Sequence, residues 1–262
     1  MPAGKDLEDA PAEAAAPPHA PLLRYYAATP EAHSGFVRAL FNRTAGSYDR
    51  INAAFALGSG PWYRRRALRR AGLRPGAQVL DVAIGTGLVA REAAAILDGT
   101  GGGGTGRLVG LDLSEGMLAE ARRALGLPLV QARAEALPFA DASFDFVSMG
   151  YALRHVADLG RLFAGYRRVL RPGGRVLLLE IAPPEGRVRR ALLKAYMGGV
   201  VPLLSRLAGR DSDTLMRYYW DTIEACVPPP EILRQLAQAG LEEVRCETDI
   251  GIMRAYSARR PR

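Results

Sequence analysis

The 262-residue sequence predicts a doubly wound α/β fold, one sheet with helices on both faces, preceded by an N-terminal helical lid. Three observations carry this. From residue 77 onward, short apolar runs alternate with stretches of helical period. The first run, "VLDVAIGTGLVAREA" (79–93), passes through a glycine turn directly into a helix. Two segments of helical spacing precede it.

Taken in chain order, residues 1–30 read as a disordered Ala/Pro-rich tail. Its first part, "MPAGKDLEDAPAEAAAPPHAP", has no periodicity and too little apolar surface to offset the entropy of ordering. Residues 31–75 form the lid, with helices over about 31–55 and 60–71, and residues 76–262 form the main domain. Strands are expected over about 77–82, 107–112, 128–132, 144–150, 174–182, 242–247 and 250–257, and helices over 87–97, 114–124, 158–169, 186–207 and 228–239. Pro228, Pro229 and Pro230 stand at the start of the last helix, where proline is tolerated. "GTGGGGTG" (99–106) lacks the following Lys-Ser/Thr of a phosphate loop and precedes a strand, so it reads as a linker.

The formal net charge is +8. Lys5 and Arg24 against Asp6, Glu8, Asp9, Glu13 and Glu31 leave −3 on residues 1–34, and hence +11 on residues 35–262. Such a surface suits nucleic acid, an anionic membrane or an acidic small substrate, and compositional bias also produces it. No uncharged apolar run reaches the roughly 18 residues of a membrane span, and the N-terminus lacks signal-peptide order, so the expected location is cytoplasmic. Cys226 and Cys246 have no ligand spacing; they read as reduced thiols, and no metal site is expected.

Gly85 and Gly87 let the backbone approach a ligand closely, and the helix beyond them offers free N–H groups. Any nucleotide cofactor would profit from that turn. Asp81 separates the candidates, because a dinucleotide would bring its pyrophosphate near this carboxylate, whereas S-adenosylmethionine brings an α-ammonium group. An NAD-dependent oxidoreductase would need an apolar residue at 81 and an added substrate domain. Asp112, closing the second strand in "VGLDLS", is placed to accept ribose hydroxyls. The structural alternatives are that Asp81 caps the turn and Asp112 caps the next helix.

"VLDVAIGTG", "GLDLSEGML", "ALPFADASFDFVSMGYALRHV" and "YRRVLRPGGRVLLLEI" together resemble the class I methyltransferases, and specifically the ubiquinone/menaquinone biosynthesis C-methyltransferases. The resemblance spans about residues 36–258 and extends to "LFNRTAGSYDRIN", "PWYRR", "YYWDTIEACVPPPEILRQLAQAGLEEV" and "GIMRAYSA". It implies a Rossmann-like class I methyltransferase sheet, S-adenosylmethionine as cofactor, and a small aromatic or quinol acceptor rather than nucleic acid. The cofactor-binding set is then Asp81, Gly85, Thr86, Gly87, Asp112 and Leu113, with Met117 packing against the adenine. Two positions depart from the family. Arg133, followed by Ala134, stands where an acidic or amide residue usually faces the adenine amino group; its guanidinium can stack on the ring instead. Gly150 stands where serine is common.

The catalytic neighbourhood is expected after the fourth strand, where "GYALRHV" takes the place of the family's "FGLRNV". Methylation at a ring carbon requires electron density pushed onto that carbon as a ring hydroxyl loses its proton. Arg154 is the candidate to stabilise the phenolate, and His155, in place of the family's asparagine, is the candidate base, since a free imidazole titrates at about 6.5. Tyr48 and Asp49 match the family's Tyr-Asp signature and are expected to close the lid over the cofactor; plain helix packing is the alternative. With "YYWDTI" for the usual "YLPESI", a specialised metabolite or phospholipid headgroup is the alternative acceptor. "EGRVRRALLKAYMGGVVPLLSRLAGR" (185–210) mixes Arg187, Arg189, Arg190 and Lys194 with apolar residues. That pattern suits peripheral contact with an anionic membrane on its inner face, or a buried helix with a basic flank. The oligomeric state is left open.

Overall fold

The computed structural model describes residues 22, 25–27, 29–56, 59–98, 107–184, 186–196 and 211–262. Helices α1 (Pro30–Ala56) and α2 (Gly60–Arg70) come first. The sheet strands are β1 (Gln78–Val82), β2 (Arg107–Asp112), β3 (Leu129–Gln131), β4 (Phe144–Gly150), β5 (Leu170–Ile181), β6 (Glu242–Asp249) and β7 (Met253–Arg259). Between them run α3 (Leu88–Leu97), α4 (Glu115–Leu125), α5 (Leu159–Val169), α6 (Arg187–Ala195), α7 (Asp211–Ala225) and α8 (Pro229–Gln238). The spatial order is β3-β2-β1-β4-β5-β7-β6, with the first five strands parallel and β7 inserted antiparallel between β5 and β6.

The strands are apolar on both sides because helices cover both faces. Val79, Phe146, Leu177 and Leu179 enter one core with α1, α2, α3 and α7. Leu80, Val82, Val147, Met149 and Leu178 enter the other with α5 and α8. Helix α5 shows why its sequence folds as it does. Asp158 caps it by accepting from the Arg161 amide at 2.9 Å, and Leu159, Leu162, Phe163, Tyr166 and Val169 all fall on its buried stripe.

The doubly wound arrangement expected from the sequence is the one observed, with three local differences. Strand β5 begins at Leu170, directly after α5, rather than at 174, because "LRPGG" is held by Phe144 pairing with Leu170 across a bulge. Helix α7 was not anticipated, although Leu215, Tyr218, Tyr219, Thr222 and Ile223 have helical spacing and are all buried. The end of the expected tail also differs: Leu22, Tyr25 and Tyr26 pack against the first core, and the Tyr25 ring meets Tyr218 edge-on at 5.2 Å. Three large apolar side chains in that short stretch bury enough surface to order it. Residues 1–21, the linker at 99–106 and residues 197–210 of the anticipated 186–207 helix lie outside the described residues.

Candidate active site

The C-terminal ends of β1, β2 and β4 open into a cavity roofed by α1. Its first half is organised by two carboxylates. Register places Asp81 opposite both Gly110 and Ser148, and the Ser148 hydroxyl donates to Asp81 Oδ1 at 2.7 Å. Burial pushes the Asp81 carboxyl up to about 7, against the Ser148 hydroxyl and the Ala90 backbone, with Asp112 adding to the rise. Asp112 is held by the chain itself: Oδ2 accepts from the Gly85 amide and Oδ1 from the Ser114 amide, both at 2.8 Å. Its carboxyl is also raised, chiefly by burial, with those amides acting the other way. Asp112 is not the cap of α4. Ser114 caps α4, accepting from the Met117 amide at 3.1 Å.

The lid is tied to this half by polar bonds. Asn42 Oδ1 accepts from the Ser114 hydroxyl at 2.6 Å and from the Gly116 amide at 3.0 Å, while Thr86 donates to Asp49. Gly116 permits the approach, since a Cβ there would stand 2.9 Å from the Asn42 carbonyl oxygen. Tyr48 and Tyr219 share a hydroxyl–hydroxyl bond of 2.6 Å. Burial raises the Tyr48 hydroxyl well above its ordinary range, so Tyr48 stays protonated at neutral pH.

The structure brings eleven of the thirteen anticipated site residues to the cavity or its turn. Gly85, Asp112, Leu113, Met117, Arg133 and Ala134 line one end, and Tyr48, Gly150 and His155 line the other. Gly87 follows Gly85 in the turn, with φ values of +91° and +58° that only glycine adopts freely. Thr86 lies within the turn with its side chain buried, Asp81 lies buried behind it, and Arg154 lies behind the far wall. This end fits S-adenosylmethionine. Nothing stands within 4 Å of where a Cβ on Gly85 would be, Asp112 keeps lone pairs beyond its two amide bonds, and Met117 and Leu113 supply apolar walls. Arg133 sits 3.7 Å from Glu135, a cavity-lining acid that the sequence reading passed over.

At the other end, His155 Nδ1 lies 3.0 Å from the Tyr218 hydroxyl. The two rings stack at 5.4 Å and 15°, and Phe41 meets the imidazole edge-on at 5.4 Å. Arg154 is fully buried: Nη1 is paired with Glu180, Nε donates to Thr222 at 3.1 Å, and the guanidinium lies 4.5 Å over the Tyr219 ring. Gly150 has a steric reason. A Cβ there would stand 2.5 Å from Val89 Cγ2, so the serine common in the family has no room beside this valine. Sequence reasoning missed Asn42, Glu180, Tyr218, Tyr219 and Thr222. The helical spacing of α7 was the available signal for the last three.

A parallel sheet whose first glycine turn and second-strand acid face a lidded cavity defines an S-adenosylmethionine-dependent methyltransferase of Rossmann-like build. Solved structures share this fold. One is a possible histamine N-methyltransferase from Thermotoga maritima (TM-score 0.59, 19% identity, 85% of this chain and 99% of that one). Another is phosphoethanolamine N-methyltransferase 2 from Haemonchus contortus, solved with S-adenosyl-L-methionine (TM-score 0.60, 19% identity, 86% and 60%). The sequence narrows the class further: the profile of the ubiE/COQ5 methyltransferase family matches residues 29–258, and the chain belongs to that family. Among its relatives, the ubiquinone/menaquinone biosynthesis C-methyltransferase UbiE of Hahella chejuensis is 34% identical over 78% of this chain and 83% of that one. The Shewanella halifaxensis enzyme of the same name is 33% identical over 82% and 86%.

Proposed function

We propose that the chain methylates a ring carbon of a quinol precursor in ubiquinone/menaquinone-type biosynthesis. The observation that carries the reading is that His155, on its Tyr218 and Phe41 platform, lines the same cavity as Asp112 and Met117. When bound, S-adenosylmethionine supplies an electrophilic methyl group on a sulfonium centre. Asp112 would accept the ribose hydroxyls, Met117, Leu113 and Arg133 would hold the adenine, and Asp81 would favour the α-ammonium group through its charge. His155 takes the acceptor's hydroxyl proton on a ring nitrogen, so that electron density reaches the ring carbon. Arg154 is a positioning residue: it fixes Tyr219, which holds Tyr48 over the acceptor.

The acceptor's prenyl tail needs an apolar approach. Among the described residues no helix is long and apolar enough to cross a membrane. Helix α6 has no fully buried residue, and Val188 and Leu192 are 72% and 66% exposed beside Arg187, Arg189 and Lys194, which favours peripheral contact with anionic lipid over a buried helix. Flotation with anionic vesicles is expected at low salt, to weaken at high salt, and to be lost when the four basic residues of this helix become glutamine. The catalytic reading is tested by incubating the enzyme with methyl-deuterated S-adenosylmethionine and a short-chain demethylated prenyl quinol. A deuteriomethyl group on the ring carbon is expected; transfer to oxygen, or none, would reject it.

A further inference from the structure

Two polar attachments of the roof helix α1, through Asn42 and Asp49, fall on the two turns that carry the cofactor residues. Asp49 accepts from Thr86 in the glycine turn, and Asn42 meets the first turn of α4, which bears Met117. Each attaching residue directly follows a side chain that lines the cavity, Asn42 after Phe41 and Asp49 after Tyr48. An amide N–H only donates, so the Asn42 atom 3.0 Å from the Gly116 amide is its carbonyl oxygen, and the Ser114 hydroxyl donates to that same oxygen at 2.6 Å.

Ser114 is the junction. Its amide donates to Asp112 Oδ1 at 2.8 Å, its Oγ accepts from the Met117 amide at 3.1 Å, and its hydroxyl hydrogen goes to Asn42. The first amides of a helix have no partner within it. In α4, Ser114 takes that of Met117 and the lid's Asn42 takes that of Gly116, so part of the cap comes from another helix. The backbones are close as well: a Cβ on Gly116 would stand 2.9 Å from the Asn42 carbonyl oxygen and 3.0 Å from its Cα. Asn42 is nevertheless exposed, so water can replace its two bonds when α1 lifts, without any core being unpacked. A turn capped by a second helix is fully ordered only while that helix is seated.

We propose that Asn42 is a positioning residue for the cofactor: from the lid it caps α4 and holds the turn of Asp112, Ser114 and Met117 in its binding geometry while α1 is seated. Lid closure and cofactor binding then strengthen one another. The cofactor enters before α1 seats, and the demethylated product leaves only after it lifts. The proposal concerns the cofactor alone and is independent of which acceptor is methylated. The test uses the full chain and S-adenosylhomocysteine, with affinity measured by calorimetry and release by stopped flow. Asn42→Ala should weaken binding about fivefold, chiefly through faster dissociation. Asn42→Asp should restore the affinity, because a carboxylate accepts both hydrogens and suits a helix N-terminus. Gly116→Ala removes no hydrogen-bonding group and is favoured by helix propensity, yet it should also weaken binding by pushing α1 off the turn. Combined with Asn42→Ala it should add little, since both changes break one contact. An Asn42→Ala affinity within about twofold of wild type, an equal loss in Asn42→Asp, a loss of unfolding stability with affinity unchanged, or losses that add in full in the double variant would each overturn the proposal.

Discussion

The two ends of the cavity are built differently. At the cofactor end the bonds that hold Asp112 and the start of α4 are short-range and made largely by backbone, namely Asp112 to Ser114, Ser114 to Met117 and Gly85 to Asp112 across one strand pairing, and Ser148 and the lid's Asn42 and Asp49 add longer-range side-chain bonds. At the proposed acceptor end, side chains from α1, β5, α7 and the turn after β4 meet in one buried group, with Tyr48 and Tyr219 separated by 171 positions. A local motif holds a ligand common to many methyltransferases. On the proposed reading, a long-range cluster holds the acceptor.

The largest expected effect breaks the acceptor end alone. Glu180→Gln leaves Arg154 buried without its carboxylate and should cost about 3–5 kcal/mol in denaturant unfolding, with Arg154→Met partly restoring stability in the double variant. A change under 1 kcal/mol would show that water already compensates the pair. Gly150→Ser sits at the junction of the two ends and should cost about 1–3 kcal/mol through its collision with Val89, with Val89→Ala relieving it. If the double variant is no more stable than Gly150→Ser, the steric account of this departure fails.

The smallest effect belongs to the cofactor end and is read in pH. Asp81 has an ordinary value of 3.8 and a folded value of about 7, so the ligand-free protein binds more protons than the unfolded chain between those values. Its stability therefore falls as pH rises from about 4 to about 7, and the penalty is complete above that. A ligand ammonium group favours the ionised form, so S-adenosylhomocysteine should bind roughly five- to tenfold more tightly at pH 7.5 than at pH 6. Calorimetry on Asp81→Asn should show weaker binding with that slope gone; an undiminished slope would place the titrating group elsewhere.

The difference between the ends also decides what could be read in advance. The glycine turn, Asp81 and Asp112 were legible because strand, turn and helix are contiguous, so spacing alone sets their geometry, whereas Met117 was read through resemblance to a family. His155 and Tyr48 were legible only through resemblance to a family. Arg154 shows the limit. Sequence offered a cation after the fourth strand, and nothing local showed that Glu180, on the next strand, would take it out of the cavity wall. The partner of Tyr48 was hidden for the same reason, since Tyr219 reaches it only through the packing of α7 against α1.

The central claim is a division of labour, with Asp112 binding and His155 reacting, and one steady-state experiment on two variants tests it most directly. With quinol as acceptor and cofactor varied, His155→Ala should lower kcat by about 10² or more, flatten the acid limb of the pH profile, and leave cofactor affinity within about twofold. Asp112→Ala should instead weaken cofactor binding by about 1.5–3 kcal/mol while keeping much of kcat at saturation. A His155→Ala enzyme with wild-type kcat and pH profile, or one whose loss lies entirely in cofactor affinity, would contradict the account.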